Sequence, residues 1–288
     1  MKVGVLHSRI RRDEKLLLDE LRERDHAVHK IDVRDRSFSI DQAGDQFTML
    51  DLVVDRCLSS SRSRYLTAWC ERHDIPVVNS ATTAATCADK VRTSLALSEA
   101  GIPTPRTEVA FSIDAALDIM DNLGYPCVLK PVVGSWGRLM ARIESRNMAE
   151  SLLEHKATLG HYEHKVFYLQ EYIETEGEDL RIVATDGVPI AGMRRSSDHW
   201  ITNAARGAEV ASIEVDSELE TLVANVDAAV GGGLLGIDLM ETQDGYTVHE
   251  VNHSVEFNAL NSVAPIDVPS AVVDWLESIC LETTAVSS

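Results

Sequence analysis

Positive charge is what this sequence most lacks. Seven lysines and twenty arginines, 27 basic residues in all, stand against 46 acidic ones for a net charge of −19. Such a chain repels nucleic acid over most of its surface, so no nucleic-acid partner is expected and an anion site must be a local patch. Cysteine is sparse as well: Cys57, Cys70, Cys87, Cys127 and Cys280 are odd in number, widely spaced and free of any CxxC pair. That argues against a disulfide scaffold and a zinc knuckle, and a reducing cytoplasm is expected. No apolar run approaches 18 residues, the longest candidate being the glycine-interrupted Ala228 to Leu239, and the opening MKVGVLHS lacks the apolar region of a secretory signal. A membrane span is excluded and export is not expected. No GxGxxG follows the first apolar segment, so the fingerprint of a dinucleotide site is missing too.

At 288 residues the chain has length for about two domains. Its acidic residues are scattered and do not form a tail. An interspersed acidic surface stays hydrated at high salt, where screening relieves its self-repulsion, so a halophilic cytoplasm is expected, with an ordinary acidic protein as the alternative.

A short apolar strand at Lys2–His7 and further short strands at Val28–Ile31, Leu52–Arg56 and Pro76–Val78 alternate with helical patterns at about 13–24 and 63–73. This predicts a βαβ-rich N-terminal domain with a parallel sheet over 1–88. Residues 89–288 form the second unit. A helix over Lys90–Ala100 stops at Gly101, and Ile102 to Pro105 make a hinge. A helix capped by Ser112, a strand at Cys127–Lys130, a helix over 147–159 and a strand at Val166–Ile173 make a lid over about 112–173. Two hairpins are expected in the remainder, about 174–281: one about Asp186-Gly187, one about Asp244-Gly245. A helix over Pro269–Cys280 follows, and 282–288 are expected to be disordered.

Three oxygen-bearing side chains stand out. Asp238 ends one expected strand, while Glu250 and Asn252 sit two apart on the next and share a face, a set able to bind magnesium or to be merely the polar face of a hairpin. Lys130 ends an apolar strand directly before Gly134-Ser135-Trp136-Gly137-Arg138, whose glycines allow a tight turn and whose backbone N–H groups can cover phosphates. Gln170-Glu171-Tyr172-Ile173 suits either an adenine edge or an ordinary linker. Arg181, Arg194, Arg195 and Arg206, with Asn203, concentrate forked and amide donors suited to carboxylates and transferring phosphoryl groups. No serine, histidine and acid arrangement can be placed in space.

Taken together, GSWGR at 134–138, QEYIETEGEDLR at 170–181, RRSSDHWITNAARGA at 194–208 and EVNHSVEFNALNSV at 250–263 resemble the ATP-grasp ligases. The similarity is to the branch that adds glutamate or alpha-aminoadipate to an amino-group carrier protein, with ribosomal-protein glutamate ligases as relatives. The resemblance implies an α/β chain, α+β overall, with an N-terminal parallel-sheet pre-ATP-grasp domain, a central lid and a C-terminal mixed-sheet domain. It implies that Lys90 and Lys130 contact ATP, that Gly134, Ser135, Trp136, Gly137 and Arg138 close over its phosphates, and that Gln170, Glu171 and Ile173 lie at adenine. Asp179 and Arg181 are placed near the nucleotide; Asp238, Glu250 and Asn252 become ligands of magnesium, with manganese as a substitute ion. Arg194, Asn203 and Arg206 carry catalysis, and with Ala204, Ala205, Gly207, Glu256, Ala259 and Leu260 they meet the amino-acid substrate.

The implied reaction phosphorylates the side-chain carboxylate of the C-terminal glutamate of a small acidic carrier of the LysW type, and the incoming amine attacks the acyl phosphate. Ala259-Leu260 resembles the glutamate pattern without a gap, whereas Asn261-Ser262 resembles the aminoadipate pattern with a two-residue insertion. Glutamate, in arginine biosynthesis, is the expectation. Aminoadipate in lysine biosynthesis, dual use, ligation to a ribosomal-protein tail, and an ATP-sensing scaffold without turnover are the alternatives. A homodimer or homotetramer is expected.

Overall fold

The computed structural model describes residues 1–134, 139–158, 165–200, 202 and 207–286. Lys2–His7 (β1) and Leu52–Arg56 (β3) are buried along almost their whole length, as strands covered on both faces must be, and β3 ends in the buried Asp55 and Arg56. With Ala27–Asp32 (β2) and Val77–Val78 (β4) they form a parallel sheet in the order β2-β1-β3-β4. Helices α1 (Arg12–Glu23), α2 (Asp45–Thr48) and α3 (Ser60–Arg72) connect these strands. The chain leaves β1 toward β2 and β3 toward β4, in opposite directions, which opens a crevice at the carboxyl ends of the two central strands.

Helices α4 (Ala81–Cys87) and α5 (Lys90–Glu99) lead to a second sheet of Thr107–Ala110 (β5), Cys127–Lys130 (β6), Ala141–Ile143 (β7) and Phe167–Glu171 (β8), in the order β5-β8-β6-β7. Helices α6 (Ile113–Leu123) and α7 (Arg146–Thr158) cover it, and Ser112 caps α6 by accepting from the Ala115 N–H at 3.2 Å. The third sheet joins Glu178–Thr185 (β9), Val188–Ser196 (β10), Glu209–Ile213 (β11), Leu234–Thr242 (β12) and Gly245–Asn252 (β13) in the order β11-β10-β9-β12-β13, with every pairing antiparallel. Asp186 and Gly187 both have positive φ, the geometry of a two-residue hairpin turn, and they join β9 to β10.

One face of the third sheet packs on helix α8 (Ser217–Val230) through Leu219, Val223, Val226 and Val230. The other continues into a core shared with the N-terminal sheet, where Leu17, Leu21 and Val54 meet Val183, Phe257 and the final helix α10 (Val268–Val286). Asn79 ties the two units by donating to the Leu234 and His253 carbonyls at 2.8 and 2.9 Å and accepting from the Leu234 N–H at 2.7 Å. The disorder expected from residue 282 is not observed over 282–286, which continue α10. A one-turn helix, α9 (Asn258–Asn261), stands between β13 and α10.

Candidate active site

The hairpin of β12 and β13 sets the central geometry. Asp238 lies directly opposite Glu250, and Gly236 opposite Asn252, so the three oxygen-bearing residues sit on neighbouring rungs. On the other flank of β12, Arg181 of β9 lies opposite Asp238, and beyond it Arg195 of β10 lies opposite Asp179. The shared strand period brings all of these to one face. They line a cavity of about 290 Å³, closed by Lys130 and Gln170 of the second sheet, by the linker Glu171 to Ile173, and by Asp13, Ser254, Glu256, Asn258 and Ala259.

Charge inside the cavity is largely paired. Arg181 forks onto both carboxylate oxygens of Asp238, and Arg195 adds a bond to it at 2.8 Å while holding Asp179 with two bonds of 2.6 Å. Against the penalty of burial, the Arg181 and Arg195 guanidiniums hold the Asp238 carboxyl well below the usual carboxylate range. Lys90 donates to Glu250 at 2.9 Å and to the Gly134 carbonyl at 2.7 Å. Lys130 donates to Gln170 at 2.5 Å, and burial pushes its ammonium down to about 8. Burial, then Lys130, lowers His249 to about 3, so it is neutral near pH 7; its buried Nδ1 has no partner among the described residues.

The donor set suits a hard divalent cation. Asp238 and Glu250 offer carboxylate oxygens on adjacent strands and Asn252 an amide oxygen beside them, which is the small protein contribution magnesium takes when phosphates and water complete its shell. In this structure Asn252 turns its amide nitrogen to Asp238 at 3.3 Å, and the arginines and Lys90 occupy the carboxylates.

Several expected residues converge here: Lys130, Gln170, Glu171, Ile173, Asp179, Arg181, Asp238, Glu250, Asn252, Glu256 and Ala259 all line the cavity. Lys90 reaches it through Glu250 and Gly134. Glu171 spends its carboxylate on the Arg106 N–H at 2.6 Å. Arg194 is a correction. Adjacent residues on a strand face opposite ways, and it is Arg195 that lines the cavity; Arg194 does not line it and pairs with Glu178, at the cavity's edge, and with Glu241 at 2.7 and 2.9 Å. Leu260 is a second correction, since it is fully buried in the shared core and does not line the cavity. Gly207 is exposed, with open space around it, and stands apart from the cavity as well. Ser135, Trp136, Gly137, Arg138, Asn203, Ala204, Ala205 and Arg206 lie outside the described residues.

Sequence reasoning missed the residues that arrive from far away. Asp13 uses one oxygen to accept from the Phe257 and Asn258 N–H groups, both at 2.8 Å, and so fixes the start of α9 across 244 residues of chain. Arg11 pairs with Glu256 and also with Glu14, which in turn holds the buried Arg56 at 2.9 Å. The only sequence signal was the basic and acidic run Arg9 to Glu14 directly after a buried strand.

Comparison with known proteins agrees with this geometry. Residues 3–86 match the LysX preATP-grasp domain and residues 87–276 the RimK-like ATP-grasp domain. The alpha-aminoadipate–LysW ligase LysX of Saccharolobus solfataricus is 36% identical over 248 residues, 85% of this chain and 90% of that protein. The glutamate–LysW ligase ArgX of Sulfolobus acidocaldarius is 30% identical over 281 residues, 96% of this chain and 99% of that protein. Among solved structures, a RimK domain ATP-grasp protein from Sphaerobacter thermophilus superposes with a TM-score of 0.81 at 26% identity, covering 96% of this chain and 99% of that one.

Proposed function

Because this chain belongs to the RimK-like ATP-grasp ligases, we propose that it joins the amino group of an acidic amino acid to a side-chain carboxylate of a LysW-type carrier protein, through an acyl phosphate formed at the expense of ATP. The observation that carries this reading is the convergence of Asp238, Glu250 and Asn252 with Lys90, Lys130, Arg181 and Arg195 on one cavity. Oxygen ligands and fixed cations side by side are what phosphoryl transfer to a carboxylate requires, since both reactants are anionic. Asp238, Glu250 and Asn252 would hold magnesium, which when bound neutralises phosphate charge and orients the transferring group. Lys90 and Lys130 bring positive charge to the phosphates. Arg181 and Arg195, released from Asp238, face the carboxylate and then the oxyanion that forms when the amine attacks. The carboxylate oxygen takes the phosphoryl group as ADP leaves; the amine then takes the acyl carbon as phosphate leaves. No covalent enzyme nucleophile is needed.

For the amino acid we favour alpha-aminoadipate, with glutamate as a second substrate, in place of the glutamate preference that the sequence suggests. Of the residues weighed for this choice, Ala259 lines the cavity, whereas Asn261 caps α10 by accepting from the Val268 N–H at 2.8 Å and Ser262 donates back to the Ala259 carbonyl at 2.6 Å. A methyl-sized wall leaves room for the longer substrate. One methylene is worth only about 1–3 kcal/mol, so both acids are used. Overall identity does not separate the two acids: over 280 residues each, the aminoadipate and glutamate ligases of Sulfurisphaera tokodaii are 32% and 30% identical to this chain. The test is carrier-dependent ADP release with each acid at matched concentrations, with intact-mass analysis of the carrier. Turnover with aminoadipate at least equal to that with glutamate is expected; a hundredfold preference for glutamate would overturn the choice, and no carrier-dependent ADP with either acid would overturn the function.

A further inference from the structure

Among the described residues, three carboxylates that line the cavity are buried: Asp13, Asp179 and Asp238. Two of them are gripped by guanidiniums, Asp179 by Arg195 and Asp238 by Arg181 and Arg195. Asp13 is only 7% exposed, yet it makes no ion pair among the described residues. Arg11, two places before it, is committed to Glu14 and Glu256. Burying a carboxylate without a cation of its own is costly, so its charge calls for a reason.

The structural task of Asp13 is the start of α9, where one of its oxygens accepts from the Phe257 and Asn258 N–H groups, both at 2.8 Å. That task needs only a neutral oxygen, since asparagine caps a helix as well as aspartate does. The negative charge is surplus to it, and so is the second oxygen, which accepts no hydrogen bond among the described residues. The other carboxylates of the wall have partners: Glu171 the Arg106 N–H, Glu178 Arg194, Glu250 Lys90 and Glu256 Arg11. Asp13 therefore brings uncommitted negative charge to the cavity, beside Asn258 and Ala259 on the same wall. An amino acid arrives at neutral pH as an ammonium, which has no lone pair to attack with until it gives up a proton.

We propose that Asp13 receives the ammonium group of the incoming amino acid and takes a proton from it as the nitrogen attacks the acyl phosphate. The inference rests on the function proposed above in taking an amine and an acyl phosphate to meet in this cavity. The ammonium gives one proton to the second oxygen of Asp13, and the freed lone pair forms the C–N bond. As the tetrahedral intermediate collapses, the bond from carbon to the phosphate oxygen breaks and the second nitrogen proton leaves on the phosphate. Asp13 then returns its own proton to water, and the product amide keeps the last of the three. The cap on α9 holds the carboxylate in place throughout, so one residue shapes the wall and serves the nucleophile.

Asp13→Asn keeps a capping oxygen and removes the charge. The test follows two products of the carrier at neutral pH, the amide with alpha-aminoadipate and the hydroxamate with hydroxylamine, which is uncharged there and traps an acyl phosphate without an ammonium site. In Asp13→Asn the kcat/KM for aminoadipate is expected to fall about a hundredfold, while hydroxamate formation and the KM for ATP stay within about threefold of the unmodified chain. A loss of amide formation below tenfold overturns the proposal, and so does a hydroxamate loss of equal size, which is what a displaced α9 would give. If the variant does not fold, calorimetric titration of the unmodified chain decides: adipate, which is aminoadipate without its amine, is expected to bind at least tenfold more weakly than aminoadipate, and a smaller difference overturns the assignment. If the unmodified chain forms neither product, the function proposed above falls while titration with aminoadipate still decides the ammonium site. Binding weakened tenfold or more by Asp13→Asn supports it; a smaller change, or no binding to the unmodified chain, overturns it.

Discussion

Two buried networks of arginine and carboxylate lie within one molecule and differ in what surrounds them. In the first, Glu14 is wholly buried between Arg11 and Arg56, itself 1% exposed, and the cluster is closed over by Phe257 and the shared core. In the second, Asp238 is held by Arg181 and Arg195, and Glu250 by Lys90, but every member borders the cavity or reaches into it. The chemistry is the same. The Glu14–Arg56 pair borders no open volume and acts as a fastening, which Arg11 ties to Glu256 at the cavity; a pair beside an open volume can exchange its partner for an incoming cation or phosphate. Burial of charge is costly in both places, and only in the second can ligand binding recover that cost.

The largest expected effect breaks the sealed network. Glu14→Ala leaves the buried Arg56 without a carboxylate and Arg11 with Glu256 alone, and should cost about 3–5 kcal/mol of stability, measured by urea denaturation. Burial raises the Glu14 carboxyl, but Arg11 and Arg56 outweigh it and bring it down to about 2, below the ordinary 4.5. Its folded value lies below its unfolded one, so its contribution is complete above about 4.5 and is lost as pH falls toward 2. In the open network, Glu250→Gln should lower kcat on the order of a hundredfold or more while the melting temperature stays within a few degrees, and added magnesium should not restore the rate. An unfolded Glu250→Gln protein would mean that the second network is a fastening too.

Lys130 sharpens the comparison through pH. Burial puts its folded value at about 8, below the ordinary 10.5, so the unfolded chain binds more protons between those values and the ligand-free protein gains stability as pH rises through that window. ATP affinity should change in the opposite sense, weakening above about 8 as the ammonium is lost, and Lys130→Met should abolish that pH dependence in an ATP titration. The smallest effect belongs to Arg194→Ala: an exposed pair of this kind is worth about 0.2–1 kcal/mol, and kcat and all KM values should stay within twofold. A tenfold loss would return Arg194 to the reacting groups.

What was legible in the sequence followed short-range rules. Lys2–His7 and Leu52–Arg56 coincide with the observed strands because the middle of a doubly covered strand is apolar on both faces, as in Val3 to Leu6 and Leu52 to Val54. The Asp186-Gly187 turn was marked by a residue pair that tolerates positive φ. The set Asp238, Glu250 and Asn252 was found because it needs only strand alternation and one hairpin register. Helix α8 was missed although Leu219, Val223, Val226 and Val230 repeat at helical spacing, because Gly231 to Gly233 drew its end into an apolar run that continues through β12. Edge strand β11 is half-exposed and shows little alternation. Choosing between Arg194 and Arg195 required knowing which face of β10 meets the cavity, which is a matter of sheet packing and not of spacing. Asp13 and Arg11 act across more than 240 residues and leave no local sign of their target.

The hairpin that carries Asp238 and Glu250 contains a bulge: Asp238 pairs with Glu250 and Leu239 with Val248, so His249 is an extra residue in β13. Val248 and Val251 consequently both point into the core beneath the sheet, while Glu250 and Asn252 point into the cavity. Omitting His249 would leave plain alternation from Val248 to Asn252, with each of the other four still on its own face. A strand interior ordinarily tolerates no change of length, because one residue inverts everything beyond it. Here, beside the cavity, the chain has a joint at which a residue can be gained or lost without inverting either face, and the melting temperature of a chain lacking His249 would measure how freely that joint turns.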